Sequence, residues 1–267
     1  MVTIMEHYPV LVLSDIHLGS EYSRIRELNL FLEKVSCDLL ILNGDIIDGW
    51  QLRKSGRHLT SSHLDFFRIL MAKIEDGKTK IVYVRGNHDD FLDKILPFRL
   101  PNFTIVSDYL LTTSTGLYYV THGDLFDSIT TQMRWLSLLG DAGYTVLLHL
   151  NKYYNLYRQK RGMPYRSFSR KIKGKIKSAV SYISDFEEKL VMIARMKKVN
   201  GIICGHIHQA ANLYYDSINY LNSGDWVESL TALAFTQSGE WIIIHYDEWR
   251  KSQHETEKLT CFAHKSA

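Results

Sequence analysis

DLLILNGD, Asp38–Asp45, is the stretch on which the reading of the chain turns. Leu39–Leu42 form a continuous apolar run, too short for a helix and not alternating, as in a strand buried on both faces. It breaks into Asn43-Gly44-Asp45, a turn that carries a carboxylate. The design occurs earlier in PVLVLSD, Pro9–Asp15, and later in KIVYVRGNHDD, Lys80–Asp90. The intervening segments have helical spacing. Ile25, Leu28, Phe31, Leu32 and Val35 share one face, as mostly do Leu64, Phe67, Ile69, Leu70 and Ile74. Ser61 or Ser62 is the expected N-cap of the second helix and Gly77 its stop. Strand, helix, strand, helix, strand implies parallel strands with right-handed crossovers, an α/β or α+β core.

Further on, NFTIVSDYLLTTSTGLYYVTHGD reads as short strands about the turn Ser114-Thr115-Gly116. Helical patterns follow over Thr130–Tyr157 and Arg166–Lys198, separated by the break KRGMPY. Strand-like runs return from GIICGHIHQA, Gly201–Ala210, onward, so 128–198 is expected to be a helical insertion in a single domain spanning 1–267. The last dozen residues are polar and are expected to be poorly ordered.

Composition narrows the class. With 267 residues, 45% hydrophobic and 23% charged, the chain has the make-up of an ordinary soluble protein with one large core. The three cysteines are dispersed, without CxxC, which points to reduced thiols rather than disulfides or zinc. MVTIMEHYPV lacks the basic start and apolar run of a signal peptide, and no apolar run nears the ~18 residues of a membrane span, so a cytoplasmic location is expected. The net charge of +3 hides one basic segment. Lys152, Arg158, Lys160, Arg161, Arg166, Arg170, Lys171, Lys173, Lys175 and Lys177 lie within Asn151–Ser178 with no acid among them, and the rest of the chain is net acidic.

The strand-terminal loops share a residue set: Asp15-Ile16-His17, Gly44-Asp45 with Asp48, Gly86-Asn87-His88-Asp89, His122-Gly123-Asp124 and Gly205-His206-Ile207-His208. Singly, each has a structural reading as a helix cap, a turn or a hairpin end. Together they place carboxylates, imidazoles and one amide beyond strand ends, where α/β sheets bind ligands. Oxygen and nitrogen donors suit manganese, iron, zinc or cobalt. Asp15, His17, Asp45, Asn87, His122, His206 and His208 are seven donors, too many for one ion, so two ions sharing a carboxylate are expected. Such a pair grips a phosphoryl group and activates water.

The ordered blocks SDIH, GDIID, GNHDD, THGD and GHIH resemble those of the calcineurin-like metallophosphoesterases, over roughly Val10–Asp127 and Val199–Tyr246. That resemblance implies a four-layer α/β/β/α sandwich. It implies that Asp15, His17 and His208 hold one ion, that Asn87, His122 and His206 hold the other, and that Asp45 bridges them. His88 would stabilise or protonate the leaving group, Asp89 would orient His88, and Asp48 would support the ligands. Size, the helical insertion and NSGDWVES, Asn222–Ser229, are further similar to the bacterial UDP-2,3-diacylglucosamine hydrolases of lipid A biosynthesis. Those are manganese-favouring peripheral membrane enzymes that cleave the substrate's pyrophosphate to UMP and a lipid phosphate. Their best-known members carry arginine where this chain has His88, which leaves a soluble phosphodiesterase or phosphomonoesterase, acting on nucleotides or phosphoproteins, as the alternative. Relatives that only bind typically lack a ligand, and none is missing here. The basic segment, with Arg170, Lys171 and Lys175, is expected to meet substrate phosphates or anionic lipid, or to be the solvated face of a helix pair. Nucleic acid is not expected.

Overall fold

The computed structural model describes residues 6–55, 59–124, 161 and 168–265. The chain divides into two compact units, one made of 1–124 with 190–267 and the other of 125–189.

The alternating pattern at the N-terminus becomes β1 (Glu6–Leu13), α1 (Ile25–Lys34), β2 (Val35–Asn43), α2 (Gly49–Ser55), α3 (Ser61–Glu75) and β3 (Lys80–Val84). β1, β2 and β3 are parallel neighbours. A 3-10 helix, Asn87–Ile95, leads to β4 (Phe98–Leu100), β5 (Phe103–Val106), β6 (Tyr109–Thr113) and β7 (Gly116–Val120). After helix α4 (Phe168–Lys197) come β8 (Gly201–Cys204), β9 (Ala211–Tyr215), β10 (Ile218–Asn222), β11 (Thr231–Phe235), β12 (Trp241–His245) and helix α5 (Tyr246–Lys265). The first sheet runs β12-β11-β1-β2-β3-β5-β4 and the second β6-β7-β8-β10-β9. Both are mixed, and β7 and β8 are parallel.

Side-chain alternation builds two cores from the same strands. Leu11, Leu13, Leu40, Leu42, Ile81 and Tyr83 face one way and join Leu28 and Phe31 of α1, Phe66 and Leu70 of α3 and Trp249 of α5. Val10, Val12, Ile41, Val82 and Val84 face the other way and meet Leu111, Tyr118, Val120, Ile203 and Leu221 of the second sheet. The result is a sandwich of two sheets with helices over the first. At about 1.5–3 kcal/mol for each large side chain buried, these strand residues are the main source of stability. The last turns of α4 lie against the second sheet, where the Lys197 ammonium stands 4.2 Å over the Tyr119 ring.

Three sequence expectations change. Leu64 was placed on the buried face of α3 but is 49% exposed, while Phe66 is fully buried. LDFFRIL is apolar on several sides, so spacing alone does not choose the face, and packing selects His63, Phe66 and Leu70. The cap of α3 is Thr60 rather than a serine, because His63 Nδ1 accepts the Thr60 backbone N–H at 2.9 Å. The polar C-terminus is helical through Lys265, since Tyr246 and Trp249 anchor its first turn in the core. The expected helix Thr130–Tyr157 lies outside the described residues. For Arg170, Lys171 and Lys175 the structure describes helical backbone and not side chains. Cys37 and Cys204 are buried free thiols. No helix among the described residues is long and apolar enough to cross a membrane.

Candidate metal centre

The five loops meet at the carboxyl ends of β1, β2 and β3 in one sheet and of β7 and β8 in the other. Backbone hydrogen bonds sew them together. Asp15 N–H donates to Gly44 O at 3.0 Å, His17 N–H to Asp45 O at 2.9 Å, and Gly205 N–H to His122 O at 3.1 Å. Asp15, His17, Asp45, His206 and His208 all have φ between 51° and 70°. This left-handed region is costly for residues with a side chain, and such strain gathers at functional sites. Gly44 takes φ +81°, and a Cβ there would enter the His122 ring. At Gly205 a Cβ would strike the Asp15 carboxylate.

The side chains form two adjoining groups. Asp15, His17 and His208 each turn one donor atom into the first, and Asp45, His122 and His206 into the second; within each group these atoms lie within 4.8 Å of one another. Asp45 Oδ2 stands between the groups, 3.8 Å from His17 Nε2 and 3.4 Å from His122 Nε2. The two imidazoles of Gly205-His206-Ile207-His208 therefore enter different groups. Asn87 follows β3 with its Oδ1 buried and without a hydrogen-bond partner.

The donors suit divalent cations. Asp15 Oδ1, His17 Nε2 and Asn87 Oδ1 are buried atoms lacking a well-directed hydrogen bond, a costly state unless a ligand completes it. His122 Nδ1 lies 2.9 Å from Asn43 O, which fixes its proton on Nδ1 and turns the Nε2 lone pair toward Asp45 and His206. Burial alone would lower the His122 pKa, but Asp45 and Asp15 outweigh it and push it up to about 10. The same field that favours a proton there favours a metal cation. Burial would raise Asp15, yet His208 and His122 hold it well below the usual carboxylate range. Asp45 is likewise depressed, with His122 prevailing over burial. The Cys204 thiol is turned away, toward Tyr220 and Leu221.

A third group, His17, Asp48 and His88, adjoins the first two. Asp48 Oδ1 lies 2.9 Å from His88 Nδ1, and Oδ2 lies 3.3 Å from His17 Nδ1. Oδ1 also accepts the Gln51 N–H at 2.9 Å, an N-capping contact at the start of α2. Here the expectation for Asp89 is corrected. The carboxylate that meets the His88 ring belongs to Asp48. Asp89 instead accepts from Ile46 N, Ile47 N, Gly86 N and the Tyr83 hydroxyl. It ties the loop after β2 to the loop after β3, because Gly86-Asn87-His88-Asp89 enters a 3-10 turn that points Asp89 back at the backbone. Burial and the Asp45 carboxylate push the Asp89 pKa up to about 6.

Sequence reasoning missed several supports. Asp225 is buried, lies 3.9 Å from His208 Nδ1, and accepts from Val227 N and the Ser229 hydroxyl. The Asp-x-x-x-Ser pattern in NSGDWVES was the available signal. Trp226 N–H holds Asp15 O at 3.1 Å. Arg85 joins Asp93 and Asp124 at 2.7 and 2.6 Å. No local pattern announces these pairs.

Residues 8–210 match the calcineurin-like phosphoesterase family model, and the chain belongs to that family. It is a metal-dependent phosphoester hydrolase by class. Among solved structures it is similar to a predicted phosphoesterase from Streptococcus pneumoniae TIGR4, at 16% identity, 89% of each chain and TM-score 0.37. It is also similar to an archaeal phosphodiesterase, at 14% identity, 88% of this chain, 98% of that one and TM-score 0.42. Vps29 from Chaetomium thermophilum matches at 10% identity, 88% of this chain, 94% of that one and TM-score 0.42. Likenesses this distant do not bear on activity. The search of curated proteins found no match.

Proposed function

We propose that this chain is a two-metal hydrolase that cleaves the pyrophosphate of a UDP-linked diacylated sugar to UMP and a lipid phosphate. The observation that carries the two-metal reading is the place of Asp45 Oδ2 between two groups of nitrogen and oxygen donors. Asp15, His17 and His208 would hold one ion, Asn87, His122 and His206 the other, with Asp45 shared. When bound, the ions draw charge from the phosphoryl oxygens and make water a better nucleophile near neutral pH. The chain's own residues set the geometry. Asn43 O keeps the His122 lone pair directed inward, and Asp48 aligns His17 and His88 together. His88 stands beside the cluster as the group that stabilises or protonates the departing oxygen.

Manganese is the proposed metal. The basic stretch Asn151–Ser178, with Arg170, Lys171 and Lys175, is the proposed contact for the substrate's phosphates and for the anionic inner face of a membrane. A second reading, a soluble phosphodiesterase or phosphomonoesterase acting on nucleotides or phosphoproteins, is favoured by His88 itself, where the best-known lipid A hydrolases carry arginine.

The purified protein with manganese is to be assayed on UDP-diacylglucosamine and on nucleotide diesters. Asp45→Ala and His122→Ala should each lose at least about 100-fold in turnover. Full activity in either variant would end the two-metal reading. Brisk diester turnover without lipid-nucleotide cleavage would move the assignment to the second reading. Anionic vesicles that bind equally well after Lys171, Lys173 and Lys175 are neutralised would remove the membrane role.

A further inference from the structure

Asp48-Gly49-Trp50 touches His88 from three sides. The Asp48 carboxylate meets Nδ1 at 2.9 Å. Gly49 lies so close that a Cβ would stand 2.9 Å from the His88 carbonyl oxygen. The Trp50 indole lies on the imidazole face, with ring centroids 4.2 Å apart and planes 31° from parallel. The His17 ring meets the same imidazole edge-on, at 4.7 Å and 90°. His88 is 2% exposed, yet Trp50 is 37% exposed and belongs to neither hydrophobic core. A large aromatic on a seven-residue helix, outside both cores, sets its ring face against the His88 imidazole.

We propose that Trp50 is a positioning residue for His88: its indole holds the imidazole plane in which Nδ1 meets Asp48 and the Nε2 edge faces the cluster. The geometry supplies the reason. The Asp48 hydrogen bond restrains the ring at Nδ1 but lets it rock about χ2, and a flat surface with its centroid 4.2 Å away narrows that rocking. Nε2 then stands 3.9 Å from Asp45 Oδ2, at the carboxylate shared by both groups. Asp48 Oδ1 already accepts the Gln51 N–H, and a carboxylate in that role accepts from His88 Nδ1 as well. The inference rests on the phosphoester-hydrolase reading for its effect on rate, but not for its effect on the ring.

Two measurements test it. In steady-state assays with manganese, Trp50→Ala should lower kcat about 10- to 100-fold with KM little changed, the scale expected when a reacting group is displaced by about 1 Å. Trp50→Phe, which keeps a flat ring, should recover most of the rate. Placed in a His88→Ala background, Trp50→Ala should cost nothing further. An equal loss in both backgrounds, or a rise in KM alone as for a substrate-stacking platform, would overturn the proposal. The second measurement needs no turnover. The Nδ1–H proton of His88, assigned by its disappearance in His88→Ala, should be visible by NMR in the wild type and Trp50→Phe and lost or strongly shifted in Trp50→Ala. If it is unchanged in Trp50→Ala, Trp50 does not position the ring. A wild type inert to every phosphoester would defeat the functional reading, and the NMR result would still decide the role of Trp50.

Discussion

Gly44 shows how closely backbone and chemistry are joined at single residues. It adopts φ +81°, and the space a side chain would need is filled by the His122 ring. Gly44→Ala therefore strains the backbone and displaces a proposed ligand at once. Activity should fall by about 100-fold or more, while the protein, still folded by circular dichroism, loses about 1–3 kcal/mol in denaturant titration. A Gly44→Ala protein with wild-type turnover would show that His122 has room to move. At this scale the donors were legible, since all seven follow apolar runs. Their orienting partners were not. Asp48 and Asp89 are both carboxylates in the right loops, and only the 3-10 turn after Gly86 decides that Asp89 points to backbone amides and Asp48 to His88.

At the scale of elements, the periodic strands and α1 followed from the sequence because their apolar faces are unambiguous. α3 and α5 did not. The face of α3 depends on which of several apolar sides meets the first sheet, and α5 on whether two aromatics find a core to enter. Trp249 lies with its ring 5.0 Å from Phe31 and 5.7 Å from Tyr246. Trp249→Ala should remove that anchor and cost about 3–5 kcal/mol of unfolding free energy, read from urea denaturation. The variant should also release the C-terminal helix to early proteolysis. A loss below about 1 kcal/mol would mean that α5 is docked by something other than this aromatic cluster.

For the molecule as a whole, the proposed metal cluster would also be a stability device. Asp15 Oδ1, His17 Nε2 and Asn87 Oδ1 are buried donors without a well-directed hydrogen bond. Divalent cations that complete these donors would bind the folded chain in preference to the unfolded one. Chelation should lower the melting temperature. Restoring manganese at about 100 times its Kd should return about 2.7 kcal/mol. Asp45→Ala should abolish the metal-dependent part of the shift. An unchanged melting temperature under chelation would mean that the donors hold no ion in solution.

The sequence by itself determined the strand-and-loop alternation, the buried character of β1, β2 and β3, and the oxygen and nitrogen donors at the strand ends. These are local properties of spacing and residue type, and local spacing survives folding. Only the tertiary structure decided that β11, more than two hundred residues downstream, would flank β1 on the side opposite β2. It also decided that the seven donors would come from two sheets and that Asp45 would stand between two groups. Which strand pairs with which, and where a loop aims its side chains, depends on surfaces brought together from distant parts of the chain, and no short window of sequence contains them.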